Sequence, residues 1–259
     1  MRIISFVSSK GGVGKTTVIA HLATALARRG ETVLAVDFDP QNALGLHLGL
    51  GPEYAQGFVR HWCSGQPWAD AAFRNTDGVG FLSFGEINLA NLKKFDDDLQ
   101  QEEDWLATKL LSIDLPDSTT ILIDTPTLPS PYALQALRAA NMVIALQRAE
   151  AASYLSLTRL ESLLHELQSR NASSATPYTP YILLNYLDST RRLCNDILAL
   201  TRNRFGQHFI PYPIHRDTAL QDAFASDSYV LDFAPQSQAA HDIHGLASWL
   251  LNQVNHNHA

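Results

Sequence analysis

The stretch Ser9-Lys10-Gly11-Gly12-Val13-Gly14-Lys15-Thr16-Thr17 decides how this chain folds. It stands between an apolar run at residues 3–7 and a segment whose apolar positions, Ile19, Leu22, Ala23 and Leu26, recur at helical spacing. A strand, a glycine loop and a helix in that order predict an anion cradle. The glycines lack Cβ atoms, so successive amides can turn inward, and the helix N-terminus adds unpaired N–H groups and a favourable field. Arg28-Arg29-Gly30 reads as a basic last turn with a glycine stop, and residues 33–36 repeat the apolar run. The outcome is β-loop-α-β with buried parallel strands.

Outward from this unit, short apolar runs at 79–84, 120–123, 142–146, 181–184 and 208–210 predict further strands. Helical patterns fall at 98–113, 131–140, 151–169, 190–204, 217–225 and 238–254. That alternation predicts an α/β fold: one domain over 1–259, with a mostly parallel central β-sheet flanked by helices on both faces. Residues 52–104 elaborate it. Within them, the aromatic clusters Phe58-Val59-Arg60-His61-Trp62 and Pro67-Trp68 suggest short helices. The charges Lys93-Lys94, Asp96-Asp97-Asp98 and Glu102-Glu103-Asp104 suggest a solvated loop entering a helix. The Ser-, Thr- and Pro-rich segment 172–180 reads as a surface connection.

Composition narrows the class. The 259 residues carry 19 basic and 26 acidic side chains, a net charge of -7, and 46% hydrophobic content, which fits a globule with a full core. It excludes a basic nucleic-acid coat, a disordered tail and a small disulfide scaffold. Cys63 and Cys194 form neither a redox pair nor a metal knuckle and read as small hydrophobes in a reducing cytosol. No leader pattern follows Met1-Arg2 and no apolar run is long enough to span a bilayer, so the expected location is cytoplasmic. The last helix carries Ala247, Trp249, Leu250, Leu251 and Val254 but no Lys or Arg, which favours core packing over a lipid-seeking role.

The loop lysine Lys15 suits the β- and γ-phosphates of a nucleoside triphosphate, and the Thr16 hydroxyl suits Mg²⁺. Ser9 stands where the general GxxxxGK[ST] pattern has its first glycine, and Lys10 adds a second cation. Two lysines this close repel one another in an empty loop and are offset by phosphate charge. Asp37 and Asp39 close the second strand, and Asp124 closes the run Ile121-Leu122-Ile123. Carboxylates at the carboxyl ends of parallel strands project toward the crevice where ligands bind, although an acid can also simply end a strand.

Lys10-Gly11-Gly12-Val13-Gly14-Lys15-Thr16-Thr17 resembles the deviant Walker A loop of the ParA/MinD family of dimeric, Mg-dependent ATPases, and the later motifs follow in the family's order. The resemblance implies a P-loop NTPase fold binding ATP and Mg²⁺. Gly11, Gly12, Val13, Gly14, Lys15, Thr16 and Thr17 would hold the phosphates. Lys10 would cross to the phosphates of a facing subunit in an ATP-dependent homodimer. Asp39 would hold the attacking water, Asp37 would help organise Lys15 and the Mg²⁺ shell, and Asp124 would act on Mg²⁺ through water. Asn185 matches the family's adenine-reading asparagine, while an Asn at a strand end also makes turns. Ile214-His215-Arg216-Asp217 stands where the family has Ile-Pro-x-Asp; His215 replaces the proline, so its contact with the base is open, as is a purely packed role.

Residues 65–71, Arg74-Asn75-Thr76, 80–85, 214–217 and Ser237-Gln238-Ala239-Ala240 resemble the branch of that family associated with bacterial cellulose synthase. This implies a slowly hydrolysing switch for assembly, localisation or secretion. Its partners would be small and regulatory proteins of the synthase complex, with indirect association at the inner membrane or cell pole. A DNA or chromosome partition ATPase is the near alternative. Five lysines, two of them in the loop, make DNA binding less attractive. A nucleotide-gated scaffold with negligible hydrolysis is another. The two separated cysteines do not suit a shared iron–sulfur cluster.

Overall fold

Apolar runs without alternation form strands buried on both faces, and five of the seven strands among the described residues have that character. The structure, a computed structural model, describes residues 1–51, 56–170 and 179–256. Its strands are β1 (Arg2–Val7), β2 (Val33–Asp37), β3 (Phe73–Arg74), β4 (Gly80–Leu82), β5 (Thr120–Asp124), β6 (Met142–Arg148) and β7 (Tyr181–Asn185). They lie in the order β3-β4-β2-β5-β1-β6-β7. Every pair is parallel except β3 with β4. Helices cover both faces, so the expected α/β architecture stands.

Successive residues point to opposite faces, which splits the core into layers. Ile4, Phe6, Ala35, Leu122 and Ile144 join one cluster with α1 (Lys15–Ala27). Ile3, Leu34, Val36, Ile121 and Ile123 join another across the sheet. The first cluster is closed by the helix at Gln238–His256, whose Ala247, Trp249 and Leu250 are buried, with the Trp249 ring edge-on to Tyr181 at 5.1 Å. Core packing of this helix is therefore observed, with the Val254 side chain outside the described residues. α1 stops as expected: Gly30 takes φ 86° and the Glu31 amide donates to the Leu26 carbonyl. Among the described residues no helix is long and apolar enough to cross a membrane.

In the elaborated segment the short helices expected at the aromatic clusters form, while the charged run departs from the sequence reading. After α2 (Leu44–His47) and α3 (Phe58–Ser64), a 3-10 turn spans Trp68–Ala71 and β3 adds an antiparallel edge. The charged run forms a helix, α4 (Leu89–Gln101), capped by the Asn88 side chain, which accepts from the Asn91 amide. Phe95 and Leu99, one turn apart, fall on its inner face and are buried, so most of the charges decorate the outer face, while Asp96 accepts from the buried Tyr132 hydroxyl. The helix expected at 98–113 breaks at Glu102–Asp104, and α5 (Trp105–Leu111) starts afresh. The expected strand at 208–210 amounts to one bridge between Ile182 and Phe209. The chain continues through α6 (Pro131–Ala139), α7 (Ala151–Arg170), α8 (Arg192–Phe205), α9 (Ala219–Ala225), an unanticipated α10 (Val230–Phe233) and α11, the terminal helix above. The connection expected at 172–180 lies almost wholly outside the described residues.

Candidate functional site

β1 lies between β5 and β6, and the loop that leaves its carboxyl end enters α1. β2 and β5 end beside it, with Asp37 and Asp124 in register and Phe6 opposite Asp124. Three sequence-distant segments therefore meet at one point of the sheet edge, where chain direction diverges and ligands bind in open α/β sheets.

The loop is held from inside. Val13 is buried in the core, and the Ser8 hydroxyl donates to the Lys10 carbonyl at 2.8 Å while accepting from Lys15 Nζ at 3.0 Å. Gly12 and Gly14 take φ 68° and 89°, and Cβ atoms built on Gly11 and Gly12 would meet nothing within 4 Å. Added side chains at Gly11 and Gly12 would thus point into open space. α1 begins with no side-chain cap and no acid in its first turn, leaving the Lys15, Thr16 and Thr17 amides without intrahelical acceptors.

The charged groups are arranged around this opening. Thr16 Oγ1 donates to Asp124 Oδ2 at 2.6 Å, while Asp124 Oδ1 is buried with no hydrogen-bond partner. Asp37 accepts from the Asp39 amide at 3.2 Å and the Leu44 amide at 2.8 Å, so it fastens the turn that carries Asp39. Asp39 in turn accepts from the Gln41 amide at 2.9 Å. Burial lowers the Lys15 pKa, opposed by Asp124 and Asp39. Burial raises the Asp37 carboxyl well above the usual range, with Asp124 adding repulsion, and raises Asp124 to about 6 against the pull of Lys15 and Thr16.

This arrangement suits a polyphosphate accompanied by a divalent cation. A desolvated ammonium and the uncapped first amides of α1 suit anionic oxygens, and the Thr16 hydroxyl with the unpaired Asp124 oxygen offers one side of a hard-cation shell. Among the described residues no group of three or more His, Cys, Asp or Glu could hold a metal unaided.

Two expected site residues lie behind the loop. Asn185 Nδ2 donates to the Val13 carbonyl at 2.7 Å, and Asn185 Oδ1 accepts from the Tyr186 amide at 2.8 Å. With Gly14, Thr17, His47, Tyr186, His215 and Phe224 it borders a cavity of about 140 Å³. Asp217 uses both oxygens on the Ala219 and Ala239 amides, joining α9 to α11. Lys10 stands apart: its Nζ faces Glu150 of the same chain at 3.7 Å. Sequence reasoning missed Ser8, Glu150 and Asp242. Ser8 adjoins the motif and could have been read with it, whereas nothing in the sequence links the other two to the site.

The family model for cellulose biosynthesis protein BcsQ matches residues 1–251. The chain belongs to the BcsQ family. Its relatives include the BcsQ of Escherichia coli strain K12, 29% identical, with 97% of this chain and 94% of that protein covered. The chromosome-partitioning ATPase Soj of Thermus thermophilus is 30% identical, with 98% and 97% covered. Among solved structures, the septum site-determining protein MinD of Pyrococcus horikoshii, complexed with Mg-ADP, superimposes with a TM-score of 0.76 at 22% identity, covering 96% of this chain and 95% of that one. This last likeness establishes the shared fold.

In this BcsQ-family chain the buried Asp124 carboxylate has a measurable consequence. Its folded pKa of about 6 exceeds the ordinary aspartate value near 3.8, so the folded state binds more protons between those values. Its contribution to stability is present below about pH 4 and lost as pH rises through about 6, on the order of 2–3 kcal/mol. Asp124→Asn keeps an acceptor for Thr16 and removes the desolvated charge. The nucleotide-free variant is expected to melt above wild type at pH 7, with the gap closing toward pH 4 in parallel thermal melts.

Proposed function

We propose that this chain is an ATP-dependent dimeric switch acting in bacterial cellulose synthesis. The supporting observation is the uncapped amide end of α1, with half-buried Lys15 beside it and the Asp124 oxygen left without a partner. The BcsQ match over nearly the whole chain supports the biological setting. In this reading Lys15 and the loop amides of Gly11 to Thr17 hold the phosphates of ATP. Thr16 and Asp124 would hold Mg²⁺, which neutralises charge between phosphate oxygens. Asp39, fixed by the Asp37-anchored turn, orients water for in-line attack, and Asn185 and His215 border the base.

A second copy completes the site. Lys10 is partly exposed and, among the described residues, pairs with Glu150 in a surface contact worth little, so crossing to another subunit costs it little. Beside it a groove of about 560 Å³, lined by Leu128, Pro129, Ala152 and the 71%-exposed Leu155, offers apolar surface for that subunit. ATP closes the pair and presents a surface to small and regulatory proteins of the synthase complex, which recruit it to the inner membrane. Slow hydrolysis resets it. Specific ATPase activity is expected to rise with protein concentration in wild type and to stay low and flat in Lys10→Ala. Equal activity per chain at all concentrations in both would contradict the dimeric mechanism.

The Soj relative favours a second reading, a DNA partition ATPase. Capture of partners in ATP, ADP and no nucleotide separates the two. Cellulose-synthesis components retained by wild type and lost by Lys15→Ala support the first reading. ATP-dependent, salt-sensitive retention of DNA supports the second.

A further inference from the structure

Building on the reading of this site as an ATP site, we propose that His215 sets base specificity, its imidazole Nε2 accepting a hydrogen bond from the 6-amino group of adenine. The geometry begins with Asp242, a buried carboxylate on α11. One of its oxygens accepts from the His215 backbone amide at 2.8 Å and lies 2.9 Å from His215 Nδ1. Its other oxygen accepts from Gln238 Nε2 at 2.8 Å. With Asp242 as acceptor the geometry selects the tautomer that carries its proton on Nδ1, and in that tautomer Nε2 presents a lone pair.

That lone pair has no partner among the described residues, and the side chain is 27% exposed on the border of the cavity behind the P-loop. The backbone is fixed as well. The Leu187 amide donates to the Ile214 carbonyl and the Arg216 amide to the Leu187 carbonyl, clamping His215 from both sides. Position and tautomer are thus set before any ligand arrives, which limits the entropy lost on binding.

The other polar groups around the cavity are less suited to this task. Each polar atom of the Asn185 side chain is already held by main chain, and both Asp217 oxygens are taken by helix amides. The His47 ring stacks on Phe224 at 4.3 Å, and its Nδ1 is sealed from solvent, so this pair forms a flat wall. Gln221 and Arg216 border the cavity without a comparable clamp on their side chains. A purine with oxygen at C6 would set lone pair against lone pair at Nε2, which disfavours guanine.

The test is calorimetric titration of ATP, GTP and purine riboside triphosphate, which lacks the 6-amino group, in mildly alkaline Mg²⁺ buffer. Wild type is expected to bind ATP about tenfold more tightly than the deaminated analogue. His215→Ala should lose about that factor for ATP alone, so that the two bind alike. Nitrogen NMR of histidine-labelled wild type provides a readout independent of the variant's folding: the His215 Nε2 resonance should move with ATP and stay in place with the analogue. Equal binding of ATP and analogue by wild type, or equal weakening of both in His215→Ala, overturns this inference and leaves the ATP site standing. Failure of wild type to bind any of the three overturns both.

Discussion

Lys15→Ala is expected to weaken Mg-ATP binding by more than about 100-fold while moving the melting temperature of the nucleotide-free protein by only a few degrees. The Lys15 ammonium is largely desolvated, and its hydrogen bond goes to the neutral Ser8 hydroxyl. Burial works against its charge in the empty site, and nearby Asp124 and Asp39 offset part of that cost. Phosphate oxygens would turn the same position into one of charge-assisted hydrogen bonds. Removing the cation leaves buried anionic oxygens uncompensated, a loss of about 3–5 kcal/mol for a partner deleted from a buried pair. Titration calorimetry reads the affinity, and thermal melts with and without nucleotide separate it from folding. A variant that binds within threefold of wild type would contradict the role given to Lys15.

Gly14→Ala is expected to cost stability and binding together. The residue takes φ 89°, where a Cβ costs about 1–2 kcal/mol, and that Cβ would sit 2.5 Å from Asn185 Nδ2. Asn185 cannot simply withdraw, because its amide ties the Val13 carbonyl to the end of β7. Either the loop rises from the sheet or this bond breaks, and the total reaches about 2–4 kcal/mol. At this chain length the melting temperature should fall by about 5–12 °C. Gly11→Ala is the control, since its Cβ would enter open space; it should melt near wild type and lose affinity chiefly where the Cβ meets ligand.

These expectations rest on parts of the chain that were legible in sequence to different degrees. The β1-loop-α1-β2 unit could be read directly, because strands buried on both faces leave uninterrupted apolar runs and glycine marks positive φ at Gly12, Gly14 and Gly30. α4 was obscured by its charges, although Phe95 and Leu99 carry the helical spacing that buries them. The edge strand β3 has two residues, too few for a period to show. Within the site, Lys15, Thr16 and Asp124 are brought together because β1 and β5 are neighbours, a strand order that the alternation of elements does not fix. The other pairings depend on tertiary contacts with no local signature. Asp37 reaches back to the Leu44 amide, Lys10 meets Glu150, and Asp242 clamps His215 from 27 residues away.

In the proposed reading the loop at residues 9–17 holds a magnesium-bound triphosphate. Its most direct test is titration of the purified wild-type chain with ATP, once in Mg²⁺ and once in EDTA. Saturable binding in Mg²⁺ that weakens at least about tenfold in EDTA is the predicted result, since the unpaired Asp124 oxygen then repels the phosphates with no cation between them. Folded protein that takes up no ATP, or binds it equally well without the metal, would contradict the account.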